Sequence, residues 1–524
     1  MTSILRSMLS ISVATVFSRA TGYARWSVQA AVLGNGILAD AYTVALLLPS
    51  LIYELFLGGI LYSIFIPVLV DRMTREGEED ARRLTNALFT LVLPLMAVLA
   101  LLGIAFARPL VVLATDWQSV DTLSRAEAGQ AVDLAVLFFR IFALQMLFFG
   151  VSTIAVGVLQ AHRRFFLPTF APVLNNFIVI GSFVAYALLL DVDRTVAVYA
   201  LAGGVTAGIA VMALALVPTM LRLGYRPRPQ VGHPALLPTA RLAGPMVILV
   251  AASVAFQFFG SYLATRFEAA ADLNYAFTIF SLPYGIFVVA VATALMPELS
   301  EKHSREDIAG YRDTFSFGLR TMFFVVVPSA VGMISLAEPI VGLLYERGNF
   351  DAQATQTVSQ LLAVYGVALL GYSVYFFLVR AFYSRQNTMT PALLNVMIFV
   401  LYAALAYGLS STPLEVVGIV LALAISYAAL ATLSLAATRR EIGRIDGRRL
   451  LISLLKTLVA GAAMFVAASA GTALLGVGSN TLERALVIAT AGGASLAVYV
   501  GVAFVLGTEE LRSVATLLKR RNAA

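Results

Sequence analysis

Apolar residues run along this chain in blocks of about 20 to 30, separated by short polar and basic breaks. The pattern is neither the two-residue alternation of a half-exposed strand nor the one-sided stripe of a soluble helix. A helix of about 20 mostly apolar residues crosses a hydrocarbon core, where each backbone N–H and C=O needs a partner within its own segment. The blocks therefore predict membrane-spanning helices near 8–33, 41–70, 84–107, 131–159, 167–190, 196–221, 241–264, 272–297, 315–337, 357–382, 390–409, 414–437, 450–475 and 484–507. The fold class expected is an all-α polytopic membrane protein with 14 transmembrane helices, an even number that puts both ends on one side.

Composition agrees with that pattern. Of the 524 residues 60% are hydrophobic and only 12% charged, and the mean hydropathy is +0.88. The first apolar block is too long, and too interrupted by Arg19 and Arg25, for a cleaved leader, so it is read as the first span. The net charge of +7 sits in short clusters between spans, which fits positive-inside topology better than nucleic-acid binding. Most of the 36 basic residues fall on the side that holds both termini, with Arg72, Arg75, Arg82 and Arg83 in the first such cluster and Arg439, Arg440, Arg444, Arg448 and Arg449 in a later one. The opposite loops hold Arg108, Arg125, Arg194, Arg266, Arg347 and Arg484. Both ends are thus expected in the cytoplasm, including a basic tail with Arg512, Lys519, Arg520 and Arg521.

A repeat at a spacing of about 220 to 230 residues adds a division. Leu48-Pro49 opens a span that passes Gly59 and closes at Pro67, and Leu282-Pro283 opens a stretch that ends at Pro297. Ala161-His162-Arg163-Arg164 through Pro172 to Asn176 is echoed by Tyr383-Ser384-Arg385-Gln386 through Pro391 to Asn395. Two parallel six-helix lobes, 1–222 and 223–440, are expected around a central cavity, with 441–524 adding two helices and the tail.

Candidate chemistry lies in the charges inside spans. Arginine in lipid costs about 2.5–3.5 kcal/mol on insertion scales and normally faces protein or a wet cavity. Arg19 and Arg25 are six residues apart, about 120° around a helix. They are read either as cationic contacts for an anionic headgroup or as side chains reaching for the inner surface. Asp40 reads as an N-cap of the second helix or as a transport residue; Glu54, at mid-span, requires a cation or a proton, with Arg25 or Arg19 the natural partner. Arg140 and Asp133 share a helix face, and Asn175, Asn176, Gln257, Asn274 and Asn395 are expected to bond between helices. Lys456 is expected to reach for the inner surface.

There is no Cys, and the three His (His162, His233 and His303) are not spaced as metal ligands. No phosphate-binding loop, dinucleotide turn or nucleophile elbow occurs. No metal, cofactor or enzymatic activity is expected.

Several stretches resemble the MurJ (MviN) lipid II flippases of the multidrug/oligosaccharidyl-lipid/polysaccharide exporter superfamily. They are Phe17-Ser18-Arg19-Ala20-Thr21-Gly22-Tyr23-Ala24-Arg25, Ala39-Asp40-Ala41-Tyr42, Tyr345-Glu346-Arg347-Gly348-Asn349-Phe350 and Phe382-Tyr383-Ser384-Arg385-Gln386-Asn387. The resemblance implies transfer of an undecaprenyl-pyrophosphate-linked peptidoglycan precursor to the outer leaflet of the cytoplasmic membrane by alternating access. It also implies contact with membrane lipids, a coupling ion, cell-wall synthesis enzymes as partners, and a polyprenyl groove on the last two helices. Arg19, Arg25 and Asp40 fall on functional positions of the family; Tyr53 stands where relatives have an arginine, beside Glu54, and these five form the expected substrate-binding set. Leu47, Phe277 and Thr278 replace other family charges, leaving a less cationic cavity. The alternative is export of another polyprenyl-linked saccharide or an amphiphile by ion antiport, with Glu54 as the ion-linked carboxylate.

Overall fold

The computed structural model describes residues 2–57, 65–120, 123–443 and 445–511. Gly59, Arg444 and the basic tail from Arg512 lie outside the described residues. Among the described residues all regular structure is helical. The long helices are α1 (Thr2–Leu33), α2 (Ile37–Phe56), α3 (Glu78–Ala105), α4 (Arg125–Ala161), α5 (Phe166–Leu189) and α6 (Arg194–Arg222). They continue with α7 (Leu236–Ala264), α8 (Ala270–Ser304), α9 (Ile308–Ser335), α10 (Ala352–Ser384), α11 (Met389–Ser410), α12 (Glu415–Ile442), α13 (Gly447–Leu475) and α14 (Thr481–Val505). Among the described residues 13 helices are long and apolar enough to cross a membrane; α1, which carries Arg19 and Arg25, is the remaining long helix and matches the first expected span.

Ends and breaks follow local chemistry. Asp193 caps α6 by accepting from the N–H groups of Thr195 (2.7 Å) and Val196 (3.1 Å). Ser124 and Glu127 form a capping box at the start of α4. Pro283 lacks an N–H, and the turn after it widens to a π-helical segment, Tyr284–Val288. Within the expected span 41–70, α2 ends at Phe56, residues 58–64 lie outside the described residues, and the helix Ile66–Arg75 holds Pro67 in its first turn.

By packing, the chain separates into two compact units, one of residues 1–271 with 347–350 and one of 272–346 with 351–524. In the first, α5 packs on α1 and α6, and α2 on α4 and α7. In the second, α10 packs on α9 and α12, α11 on α12, and α13 on α9 and α14. Close approach depends on small residues: a Cβ added to Gly371 of α10 would lie 2.8 Å from the backbone N of Ala428 on α12.

Each unit repeats features of the other. Helix α3 is followed by Ala107–Ala114 and α9 by Ala337–Tyr345, each opening Ala-x-Pro. The basic turns after α4 and α10 each hold a non-glycine residue in the left-handed region, Arg163 at φ 58° and Gln386 at φ 60°. These turns are anchored by an acid and a tyrosine whose positions are exchanged. In the first unit His162 meets Glu78, which opens α3, at 3.3 Å, and Tyr225, which follows α6, donates to Glu78 at 3.0 Å. In the second, Arg385 meets Glu441 at the end of α12 at 3.1 Å and donates to Tyr311 near the start of α9 at 3.0 Å.

Candidate functional site

The first unit holds all five expected site residues. On α1, Arg19 is exposed and Arg25 is partly buried. The Arg25 guanidinium lies 5.0 Å from the centre of the Trp26 ring, and its buried Nε has no hydrogen-bond partner. Neither arginine makes an ion pair among the described residues. Asn176 of α5 fixes the helix that carries them: its Nδ2 donates to Thr21 Oγ1 at 3.1 Å and to the Ser18 carbonyl at 3.5 Å. A Cβ added at Gly22 would lie 3.7 Å from the same Nδ2, in ordinary van der Waals contact.

On α2, the Tyr53 hydroxyl is 2.6 Å from Thr153 Oγ1 on α4, and its ring lies 4.9 Å from that of Phe149. Glu54 takes a hydrogen bond from Gln257 of α7, not from an arginine. The expected pairing of Glu54 with Arg25 or Arg19 is therefore corrected: α2 packs on α7 within this unit, which brings an amide to the carboxylate.

Asp40 also differs from the simpler expectation. Gly36 occupies the N-cap of α2, and Asp40, 0% exposed, caps α8 instead. Its two carboxylate oxygens accept from the N–H groups of Ala270 (3.2 Å) and Ala271 (2.8 Å). A carboxylate at a helix N-terminus satisfies orphan donors and meets the positive end of the helix dipole.

Several other charged residues inside or beside spans meet acids within their own units. Asp133 pairs with Arg108 at 2.6 Å, not with Arg140, which is exposed. Arg320, 7% exposed in its side chain, meets Glu509 at 2.5 Å and Glu510 at 3.2 Å. Glu509 lies beyond α14, where hydrogen bonds from Arg449 and then Arg320 hold its carboxyl below the usual carboxylate range. Arg484 meets Glu346 at 2.5 Å and donates to the Gly342 carbonyl at 3.0 Å. Lys456, in the N-terminal half of α13, donates to the Gly507 carbonyl at 3.3 Å. Among the described residues no group of three His, Asp and Glu side chains is placed to hold a metal.

Around α8 the second unit presents a group of rings. Phe280 lies 5.2 Å from Tyr365, Tyr284 lies 4.8 Å from Tyr372, and Tyr372 lies 4.8 Å from Tyr427. Phe277 belongs to the same aromatic face, its ring 5.6 Å from that of Phe280 and 6.0 Å from that of Tyr365. Tyr365, Tyr372 and Tyr427 of this face come from α10 and α12, and no spacing along α8 reaches them.

Long apolar helices packed through small residues, with Arg320 and Arg484 of the second unit paired with acids, define a multi-pass α-helical membrane protein. Comparison with known proteins narrows the class. The family model described as lipid II flippase MurJ matches residues 29–485. A lipid II flippase MurJ of Burkholderia cenocepacia is 31% identical over 397 residues, covering 74% of this chain and 75% of that protein. A probable lipid II flippase MurJ of Rhizobium meliloti is 29% identical over 545 residues, covering 100% of this chain and 97% of that protein. Among solved structures, a lipid II flippase MurJ in an inward closed conformation matches with a TM-score of 0.74 at 20% identity, over 96% of this chain and 99% of that one. An inward-facing multidrug resistance MATE family transporter of the MOP superfamily matches with a TM-score of 0.68 at 14% identity, over 84% and 99%. The chain belongs to the lipid II flippase MurJ family.

Proposed function

We propose that this chain moves lipid-linked peptidoglycan precursor from the inner to the outer leaflet of the cytoplasmic membrane, and that it does so by changing conformation without covalent chemistry. The observation that carries the reading is Arg25: a cation inside a span, partly buried, with an unsatisfied Nε and no carboxylate partner among the described residues. Such a group is costly unless it meets an anion, and a guanidinium fork suits a pyrophosphate. Arg19 lies about 120° around the same helix and adds a second cation. Tyr53 and Glu54, held by Thr153 and Gln257, supply hydrogen-bonding groups for a glycan or peptide headgroup. Asp40 has both oxygens engaged by the backbone, so its part is to position the start of α8. The basic clusters support an orientation with both termini in the cytoplasm, and a coupling ion and contacts with cell-wall synthesis enzymes remain part of the proposal.

The test is rescue of a bacterial host depleted of its own lipid II flippase, with lipid II in the outer leaflet as readout. Wild-type chain is expected to restore both growth and outer-leaflet lipid II. Arg25→Ala, present in the membrane at wild-type level, is expected to restore neither, and Arg25→Lys to restore them in part. Full rescue by Arg25→Ala would remove the arginine from the path, and failure of well-expressed wild type would remove lipid II as the substrate.

A further inference from the structure

The ends of α2, α4 and α6 that carry their N-termini enclose a cleft of about 500 Å³ in the first unit. Its floor is apolar, with Leu38 of α2, Leu134 of α4 and Val198 of α6 among its lining. Its rim is charged. Arg194 opens α6 and makes no hydrogen bond or ion pair among the described residues, since the capping is done by its neighbour Asp193. Glu127 gives Oε2 to Ser124 in the capping box and keeps Oε1 for another partner. Asp133 at the same rim is already closed by Arg108. The cleft therefore offers one guanidinium and one carboxylate oxygen above an apolar floor.

Position strengthens the reading. Arg194 and Glu127 stand in the first turn of their helices, where the start of a span meets the headgroup layer, and Val198 is one helical turn further along α6, about 6 Å. An open apolar groove at that depth in a bilayer is covered by acyl chain. A headgroup above it that satisfies both rim charges must carry an anion and a hydrogen-bonding cation a few atoms apart. Phosphoethanolamine does so: its phosphate suits the Arg194 fork and its ammonium suits Glu127 Oε1. A choline headgroup has no N–H to give Glu127, and a glycerol headgroup has no cation.

We infer that this cleft is a phospholipid site selective for phosphatidylethanolamine, separate from the path proposed for the lipid-linked substrate and independent of it. The experiment is native mass spectrometry of the full chain in detergent, titrated with phosphatidylethanolamine, phosphatidylcholine and phosphatidylglycerol of identical acyl chains. Phosphatidylethanolamine is expected to bind about fivefold more tightly than the other two. Arg194→Ala should reduce its affinity by about tenfold. Glu127→Gln keeps the capping box, since Gln serves as well as Glu there, and should abolish the preference over phosphatidylcholine. Val198→Trp fills the floor and should weaken all three lipids. Free phosphoethanolamine should compete only weakly, since it has no chains for the floor. Equal retention of the three lipids by wild type overturns the inference, as does unchanged selectivity in a monodisperse Arg194→Ala or Glu127→Gln protein. Competition by free phosphoethanolamine at the lipid's own affinity overturns the lipid assignment.

Discussion

Replacement of Asp40 separates a positioning role from substrate contact. The carboxylate is fully buried and takes two backbone N–H groups, from Ala270 at 3.2 Å and Ala271 at 2.8 Å. Hydrogen bonds to a charged group contribute about 1.5–3 kcal/mol each, and a carboxylate at a helix N-terminus gains up to about 2 kcal/mol from the dipole. Asp40→Asn keeps one acceptor oxygen and loses the charge, so a loss of about 2 kcal/mol is expected. Asp40→Ala leaves both donors buried without partners, for a loss of about 3–4 kcal/mol. In a chain of this size, each kcal/mol moves the unfolding midpoint by about 1–2 °C. Thermal unfolding of purified protein in detergent should therefore show Asp40→Asn lower by about 2–4 °C and Asp40→Ala lower still. Outer-leaflet lipid II, measured in cells grown below those midpoints, reports the functional loss separately. An Asp40→Ala protein that unfolds within about 1 °C of wild type yet fails to transport would refute the capping argument and return Asp40 to the substrate path.

Three further outcomes follow from the geometry. Gly348 sits at φ 60° with Ala31 backbone atoms against the place of its missing Cβ, so Gly348→Ala should cost about 2 kcal/mol or more by combining strain with overlap; Gly181→Ala, in open space, is the control and should not lower the midpoint. Arg320→Ala leaves Glu510, 4% exposed, as a buried unpaired charge, and should destabilise by about 3–5 kcal/mol, whereas Arg320→Ala combined with Glu510→Gln should recover part of the loss; equal midpoints for the single and double variants would argue against the pairing. Glu509 is held below the usual carboxylate range in the folded state, so its stabilising contribution is present above about pH 4.3 and is lost as pH falls through the folded value. The midpoint difference between wild type and Glu509→Gln should accordingly shrink on acidification below about pH 4, and a constant difference would exclude that linkage.

The spans are legible because a run of apolar residues as long as a bilayer has few other uses, and each expected block overlaps a long helix. What the runs hid were changes within a helix. Nothing in the apolar pattern distinguishes the π-helical turns Tyr284–Val288 and Ile488–Gly492 from ordinary helix, and the break in α4 between Phe142 and Gln145 falls among residues as apolar as their neighbours. Short helices such as Ala107–Ala114 were absorbed into loops or span ends, being too short to register as blocks. The Tyr345 to Phe350 stretch was recognisable as a motif, but its work is visible only in three dimensions. Asn349 donates its backbone N–H to the Ala31 carbonyl at 2.8 Å and its Nδ2 to the Val32 carbonyl at 2.7 Å, satisfying carbonyls at the end of α1.

Charge shows most directly what a sequence can and cannot tell about the site. Arg25, Arg320, Arg385 and Arg484 look alike along the chain, each a lone arginine in or beside an apolar run. Three of them meet acids brought from elsewhere: Glu509 is 189 residues from Arg320, Glu346 is 138 from Arg484, and Glu441 is 56 from Arg385. No spacing rule along one helix reaches such partners, so their neutralisation had to be observed. Arg25 differs from those three, being partly buried with an unpartnered Nε and no carboxylate among the described residues, and the first helix becomes the place where an anionic headgroup would balance charge that the protein itself leaves open.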